Sequence, residues 1–446
     1  MATATPDRRV TMEEITALAK RRGFIFQSSE IYGGIGGFWD YGPLGAIMKR
    51  NVKDAWWRDT VELRDDVVAF DSSIVMHPAT WEASGHVAAF HDVMVDCKAC
   101  KHRFRYDHLK DRARCPDCGT ADSFTDPRNF NLMLKTSIGP MEDTSALAYL
   151  RPETAQGIFV NFKNIYQTAR KRPPFGVAQI GKAFRNEITP GNFTFRSREF
   201  EQAELEYFVP NDGKDMDAFR EWVDRRKAWY SNYRIQRDRL RFYELTEEER
   251  PHYAKAGIDV EYLFPWGWGE LESIAHRGTY DLEAHMRLSG KDLRFFDEST
   301  QTHQTPLLIE SSAGIDRTVL TFLVDAYERE TSVDPNGKET ERTVLRFHPK
   351  IAPVQAAIFS LARNKPELVE RARSLERSLR PHLRTQYDEG NIGQLYRRQD
   401  EIGTPFCITA DFDTLDDASV TVRERDSMRQ ERVGEAHVRA YLEERA

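Results

Sequence analysis

From Phe184 to Glu204 the chain reads FRNEITPGNFTFRSREFEQAE, a stretch that brings guanidinium groups, carboxylates and aromatic rings together. The pattern predicts an antiparallel hairpin with Pro190, Gly191 and Asn192 in its turn. Alternate side chains of a strand share a face. Arg185 and Glu187 should therefore point one way, and Arg198, Phe200, Gln202 and Glu204 should share a face of the return strand. Charges of this kind are costly to bury unless a ligand or partner compensates them. A polyanionic, planar, amine-bearing ligand such as ATP, beside an amino acid, meets that need: arginine takes phosphate and phenylalanine takes a base. Read without context, the same residues describe an exposed hairpin with alternating salt bridges.

The cysteines point to a metal. Cys97-x-x-Cys100 and Cys115-x-x-Cys118 are separated by fourteen residues, close to the spacing of a four-thiolate zinc ribbon. Each knuckle lets two sulfurs reach one ion, and four thiolates leave no position open for water, so the expected zinc site is structural. The fifth cysteine, Cys407, lies in the apolar run Phe406 to Thr409, where a buried, inert thiol is expected.

Two further segments carry groups suited to a phosphorylated ligand. Trp266 to Ser273 alternates like a strand and puts Glu270 and Glu272 on one face; paired carboxylates beside a triphosphate suit magnesium, and Glu270 is the candidate ligand. Leu307 to Glu310 predicts a buried strand, and Ser311 to Arg317 leads into an apolar helix through Val319, Leu320, Phe322, Leu323, Ala326 and Tyr327. Arg317 then falls in the first turn, where the helix dipole and a guanidinium together attract a terminal phosphate. Before the hairpin, Arg151-Pro152-Glu153-Thr154 precedes a helix pattern of Ile158, Phe159, Phe162 and Ile165, with Thr154 as its cap and Glu153 as a helix-start acid.

The remaining elements must position these groups. Thr11 to Arg22 predicts a helix with Thr11 and Glu14 in a capping box and Gly23 as its stop. The glycine-rich run Ser28 to Gly37 predicts close backbone packing, and Pro43 opens a long helix through Trp56 and Trp57. Strands are expected over Val67 to Met76 and Phe130 to Lys135, and a polar helix with aromatics at Phe219, Trp222, Trp229, Tyr230 and Tyr233 over Asp215 to Arg241. Ser332 to Arg342, with Pro335-Asn336-Gly337, is a hydrophilic break. Beyond it, helices are expected over Val354 to Ala362, Glu367 to Leu379 and Gly434 to Glu444, and strands over Phe406 to Phe412 and Val420 to Arg425.

The chain has 446 residues, enough for two or three domains, with 40% hydrophobic and 30% charged residues. No apolar leader opens it and no run of about 18 apolar residues occurs, which predicts a cytoplasmic location. A net charge of −7 gives no global sign of nucleic-acid binding, so any RNA contact must be local. Arginine clusters at 234–241, 371–384 and 397–398 are local candidates that equally describe solvated helix faces.

Phe184-Arg185-Asn186-Glu187, the turn, and Arg198-Glu199-Phe200 resemble motif 2 of the class II aminoacyl-tRNA synthetases, and in full wording the glycyl-tRNA synthetases. Tyr41 to Met76 resembles motif 1, which builds the dimer interface, and Leu307 to Tyr327 resembles motif 3; the likeness runs from Arg22 to about Arg432. It implies an α/β (α+β) chain: an antiparallel-sheet class II synthetase catalytic domain over residues 1–345, with a zinc-ribbon insertion at about 95–125 and a helical insertion at about 210–262. A mixed α/β anticodon-binding domain over residues 346–446 follows.

The resemblance also implies a homodimer that binds tRNA, ATP with magnesium, and glycine. Arg185 and Arg317 would be catalytic. ATP would meet Arg185, Asn186, Glu187, Phe195, Arg196, Ser197, Arg198, Glu199, Phe200, Glu270, Leu271, Gly314, Ile315, Asp316 and Arg317, with Asp316 standing where many relatives carry glycine. Glycine would meet Arg105, Glu153, Phe200, Glu201, Gln202, Ala203, Glu204, Glu310, Ser311, Ser312, Ala313 and Gly314. Competing readings are a non-catalytic paralogue that keeps tRNA binding, or a class II synthetase for another small amino acid. The first would be expected to lack Arg185, Glu187 or Arg317, and the second to carry other residues around Glu153 and Glu310.

Overall fold

The computed structural model describes residues 10–107, 109–140, 146–251, 253–333 and 339–445. A seven-stranded sheet forms its centre. From edge to edge the strands are Leu240–Glu244, Ala256–Phe264, Gly267–Gly278, Leu307–Gly314, Glu199–Val209, Phe175–Phe184 and Val67–Ala69, antiparallel except for the last pair. Alternation along Glu199–Val209 separates its faces: Ala203, Leu205 and Tyr207 enter one core with the helices Pro43–Trp57, Asp215–Asn232 and Ile315–Asp325. Phe208 enters the other with Phe159 and Phe162 of the helix Ala155–Ala169 and Leu282 of Tyr280–Ser289. On this second face the sheet changes from apolar to polar toward one end, where Phe200, Gln202 and Glu204 emerge.

Several local expectations hold. The helix Met12–Arg22 has the Thr11–Glu14 capping box and ends at Gly23 in the left-handed region. Pro43 starts the long helix, and Trp56 is fully buried. The polar helix Asp215–Asn232 buries Phe219, Trp222, Trp229 and Tyr230 against the sheet. The stretch expected as a helical insertion also supplies two strands of the central sheet, Leu240–Glu244 and part of Ala256–Phe264.

Other elements differ. Val67 to Met76 is broken into Val67–Ala69 and Val75–Met76, which join different sheets, and the expected strand at Phe130 divides into Arg128–Asn131 and Lys135–Ser137. Ser332 to Arg342 lies within a hairpin, Tyr327–Val333 against Glu339–Leu345; the predicted break at Pro335 to Gly337 lies outside the described residues.

Val354 to Ala362 contains a strand, Ala356–Ser360, where a helix was expected. All five of its residues are buried, because Ala356 and Ile358 face one core and Ala357 and Phe359 another. A strand covered on both sides shows no alternation, so its periodicity cannot be told from a buried helix. This strand is central in a C-terminal sheet ordered Thr385–Asp388, Ala356–Ser360, Phe406–Ala410, Ser419–Glu424 and Gln430–Gly434. The first three strands are parallel and the last two antiparallel, with helices Pro366–Leu379 and Ile392–Ile402 packed against them. Cys407 is buried here, and burial pushes its thiol up to about 12.

Candidate active site

A cavity of about 250 Å³ opens at the polar end of the central sheet. Arg185 and Arg317, 132 positions apart in sequence, both line it. The predicted hairpin exists as Phe175–Phe184 paired with Glu199–Val209, but its strands stop at Phe184 and start at Glu199, in register with one another. Residues 185 to 198 form a long loop with a short helical turn at Phe193–Phe195 rather than the tight turn expected. Proline and two left-handed residues, Asn192 and Phe193, prevent continued pairing.

Arg198, expected on the ligand face, is turned to the backbone instead. Its Nε and Nη2 donate to the Glu187 carbonyl (3.1 and 2.8 Å) and its Nη1 to the Gly36 carbonyl (2.8 Å), tying the loop to the glycine-rich segment. Gly37 allows that approach; its left-handed backbone lies where a Cβ would fall 2.8 Å from Pro190. Arg185 keeps its place. Its Nε donates to the Pro152 carbonyl at 3.0 Å, and its guanidinium lies between the rings of Phe200 and Phe90, 5.3 and 5.4 Å from their centroids.

The Arg-Pro-Glu-Thr segment is held from below. Arg151 is buried and donates to the carbonyls of Lys182 (2.6 Å) and Ser72 (2.8 Å), crossing Gly181 so closely that a Cβ there would stand 2.1 Å from its Nη2. Thr154 occupies the cap position, but its hydroxyl donates to Glu204 at 2.7 Å instead of accepting from the helix. Glu153 accepts from Gln156 (2.9 Å) and faces the His86 ring nitrogen at 3.4 Å. Burial would raise its pKa, but His86, Arg277 and Gln156 outweigh that cost and hold the carboxyl well below the usual range.

Glu270 and Glu272 do not share a face. The strand Gly267–Gly278 bulges between them, with Val260 opposite Glu272, Glu261 opposite Glu270, and Leu271 left over. Glu270 lines the cavity and accepts from Arg317 Nη1 at 3.2 Å. Glu272 points to the other face, where it is 0% exposed and accepts from Arg226 Nε (2.7 Å), Tyr230 (2.9 Å) and Ser311 (2.6 Å). Arg317 sits in the first turn of Ile315–Asp325 as expected, its Nε on the Phe195 carbonyl at 3.1 Å and its guanidinium 4.4 Å from the Phe195 ring centroid. Asp316 accepts from Tyr41 (2.6 Å), Lys49 (2.8 Å) and the Glu201 amide (2.6 Å), which joins the long helix, the strand and the Arg317 helix.

Of the residues singled out in the sequence, Glu153, Arg185, Glu187, Phe195, Arg196, Ser197, Phe200, Glu201, Gln202, Glu204, Glu270, Leu271, Glu310, Ser312, Gly314, Asp316 and Arg317 meet around the cavity. Eight do not line it. Ala203, Ser311 and Ala313 alternate onto the opposite face, Ile315 enters the core, and Glu199 pairs with Lys182. Asn186 donates its backbone N–H to the Leu132 carbonyl, and Arg198 is occupied as described. Arg105 is held in the cysteine-bearing subdomain by Asp92 (3.0 Å) and Asp107 (2.7 Å).

Thr194, Tyr253, Ser273 and Arg277 also line the cavity and were missed. Beyond the bulge Leu271, Ser273 and Arg277 follow the two-residue period, so one inserted residue concealed Arg277. Arg277 is buried, bonded to Asp281 through Nε and Nη2 (2.8 and 2.9 Å) and to Glu310 through Nη1 (2.6 Å). Around it, the carboxyl oxygens of Glu204, Glu206 and Glu310 lie within 4.8 Å of one another. Burial and mutual repulsion raise Glu204 well above the usual carboxylate range, and Glu310 is raised despite Arg277. A floor this rich in carboxyl groups suits a small cationic head group, while the rim offers two guanidinium groups to an anion.

The four cysteines of the paired knuckles converge, their sulfurs all within 4.8 Å of one another. Cys97 and Cys118 are 3.7 Å apart and Cys100 and Cys115 3.8 Å, too far for disulfides. A tetrahedron with metal–sulfur bonds of about 2.3 Å has sulfur–sulfur edges of about 3.8 Å, so the set fits zinc. It is carried on a three-stranded sheet of Arg103–Arg105, His91–Asp96 and Arg128–Asn131.

The chain matches the tRNA synthetase class II core domain (G, H, P, S and T) over residues 140–326 and the anticodon binding domain over residues 355–445. A glycine–tRNA ligase of Thermobifida fusca is 51% identical, over 97% of this chain and 98% of its own length. The chain belongs to the glycine–tRNA ligase family. Other glycine–tRNA ligases, from Streptomyces coelicolor (48% identical, 97% of this chain, 98% of the relative) and Treponema denticola (51%, 96% and 95%), match it at similar coverage. In a glycine–tRNA ligase of this family the class II core match spans both cavity arginines. No helix among the described residues is long and apolar enough to cross a membrane.

Proposed function

We propose that the protein is a glycine–tRNA ligase, activating glycine with ATP and transferring it to the 3′ end of tRNA. The observation that carries this reading is the convergence of Arg185 and Arg317 over a carboxyl-lined floor in one cavity, in a chain so close to known ligases. The alternatives, a non-catalytic paralogue or a synthetase for another amino acid, find no support here.

Activation brings the glycine carboxylate to the α-phosphorus of ATP, and pyrophosphate leaves. Two anions must meet, so fixed cations matter more than a protein nucleophile. Arg185, already positioned by Pro152, Phe200 and Phe90, serves the α-phosphate and the glycine carboxylate; Arg317 serves the γ-phosphate. Phe200 offers its ring to adenine and Glu187 accepts from the adenine amino group. Glu153, Glu204 and Glu310, with Ser312 beside them, take the glycine ammonium, and the small space they leave excludes a methyl group by contact. In the second step a terminal ribose hydroxyl of tRNA attacks the glycyl carbonyl and AMP departs.

Magnesium would supply charge neutralisation between phosphate oxygens. Glu270 is a suitable ligand, exposed to the cavity and partnered among the described residues by Arg317 alone, and magnesium needs one or two protein carboxylates. Glu272 is excluded by its burial below the sheet. Cys97, Cys100, Cys115 and Cys118 would hold a structural zinc ion.

The working form is a cytoplasmic homodimer, with residues 346–446 reading the tRNA anticodon. Supporting the dimer, Ile31 and Tyr32 are 88% and 86% exposed, apolar surface that a second copy would cover. ATP–pyrophosphate exchange tests the main assignment: glycine should support exchange, whereas alanine and serine should not. Exchange with serine alone, or with no amino acid, refutes it.

A further inference from the structure

Glu206 belongs to none of the groups assigned above. It follows Glu204 along the same strand face, one position nearer the apolar core that Phe208 enters, and stands directly opposite Glu310 on the neighbouring strand. It is 0% exposed, and among the described residues no group donates a hydrogen bond to either of its carboxyl oxygens. Buried polar atoms are almost always satisfied, so this absence demands a reason. The groups facing it supply one. Glu310 approaches from the adjacent strand and Arg277 from the strand beyond it, Glu204 from its own, and Asp281 from the helix Tyr280–Ser289; Glu153 and His86 lie beyond Glu204 and Glu310.

Arg277 is the principal cation in this group, and its guanidinium hydrogen bonds among the described residues go to Asp281 and Glu310, none to Glu206. Five carboxyl groups around one guanidinium and one imidazole cannot all ionise where Glu204, Glu206 and Asp281 are shielded from water. An ionised Glu206 would need donors that are not there. A neutral Glu206 reverses the requirement: its hydroxyl becomes a donor, and Glu204 and Glu310, each with a carboxyl oxygen within 4.8 Å of one of its own, are the groups placed to accept.

We propose that Glu206 is a positioning residue held as the neutral acid, donating a hydrogen bond beneath the floor that orients Glu204 and Glu310 as the carboxylates receiving the glycine ammonium. Burial and the nearness of Glu310 raise the pKa of Glu206 and of Glu204 alike, well above the usual range; Thr154 donates to Glu204 and no described group donates to Glu206, which places the proton on Glu206. The orientation of the pair toward glycine rests on the ligase reading; the protonation state does not. A proton kept at Glu206 lets three carboxyl groups pack together without mutual repulsion forcing the pocket open.

The test uses the full-length protein. Carbon NMR with carboxyl-labelled glutamate should show one buried carboxyl group protonated throughout pH 6 to 8, a signal that Glu206→Gln removes. In ATP–pyrophosphate exchange, Glu206→Gln, which keeps a neutral donor, should hold the KM for glycine within about threefold of the parent. Glu206→Leu, which fills the space without a donor, should raise that KM at least tenfold, leaving the KM for ATP unchanged. Fully ionised glutamates in the unmodified protein overturn the proposal even if no variant folds. A tenfold rise with Glu206→Gln, or equal behaviour of the Gln and Leu variants, also overturns it. Absence of any glycine-dependent exchange by the parent protein would instead refute the ligase reading, while the NMR result would still decide the state of Glu206.

Discussion

The buried pair Arg226–Glu272 allows a quantitative test of how the strand that carries Glu270 is held. Arg226 is 3% exposed and Glu272 0% exposed, with 2.7 Å between Nε and Oε1, and Tyr230 and Ser311 complete the carboxylate's donors. Replacing Glu272 with leucine strands a guanidinium in the core, which costs about 3–5 kcal/mol, and replacing Arg226 with methionine strands a carboxylate at similar cost. Independent effects would sum to about 6–10 kcal/mol. The double variant removes both charges, and apolar replacement of a buried pair is often neutral, leaving mainly two lost hydrogen bonds at about 1 kcal/mol each. The expected coupling is therefore about 4–8 kcal/mol. Urea unfolding, followed through the first transition of the four proteins, measures it. A double variant as unstable as the sum of the single ones would show that Arg226 and Glu272 do not compensate one another's charge.

Other expectations are equally direct. Arg317→Ala should lower the ATP–pyrophosphate exchange rate by about 100-fold or more with an unchanged circular dichroism spectrum, as loss of a preorganised charge implies; near-normal exchange would remove Arg317 from the chemistry. Zinc analysis should find about one ion per chain, and Cys100→Ser should lower metal content and loosen the segment around 97–128 in hydrogen exchange before the central sheet opens. A fully loaded Cys100→Ser protein would contradict the four-thiolate site. His348 is pushed down to about 4 by burial and by Arg234, Lys350 and Arg425. Its unfolded form binds a proton more readily, so stability should fall as pH drops from about 6.5 to about 4. His348→Gln should make the melting temperature less sensitive to pH in that window, and an unchanged slope would refute this contribution.

The sequence made the chemistry more legible than the geometry. Arg185, Phe200, Glu153 and Arg317 were evident because short motifs fix residue types, and the capping box at Thr11 because it depends only on neighbours. Arg198 and Glu272 were misplaced because strand alternation was extrapolated through a loop and through a bulge, neither of which hydrophobic period reveals. Arg277 was missed for the same reason: its phase is counted from a residue that has no partner on the adjacent strand. In the C-terminal region, Ala356–Ser360 was taken for helix because burial on both sides erases the alternation that identifies a strand.

The carboxylate of Asp316 grips three separate parts of the chain at 2.6 to 2.8 Å, and the next residue is Arg317. Such a rivet leaves little slack. Rotation or sliding of the helix Pro43–Trp57, which carries Lys49, is transmitted to the start of the helix that presents Arg317. Anything that clasps the outside of that long helix thereby has mechanical purchase on the wall of the cavity.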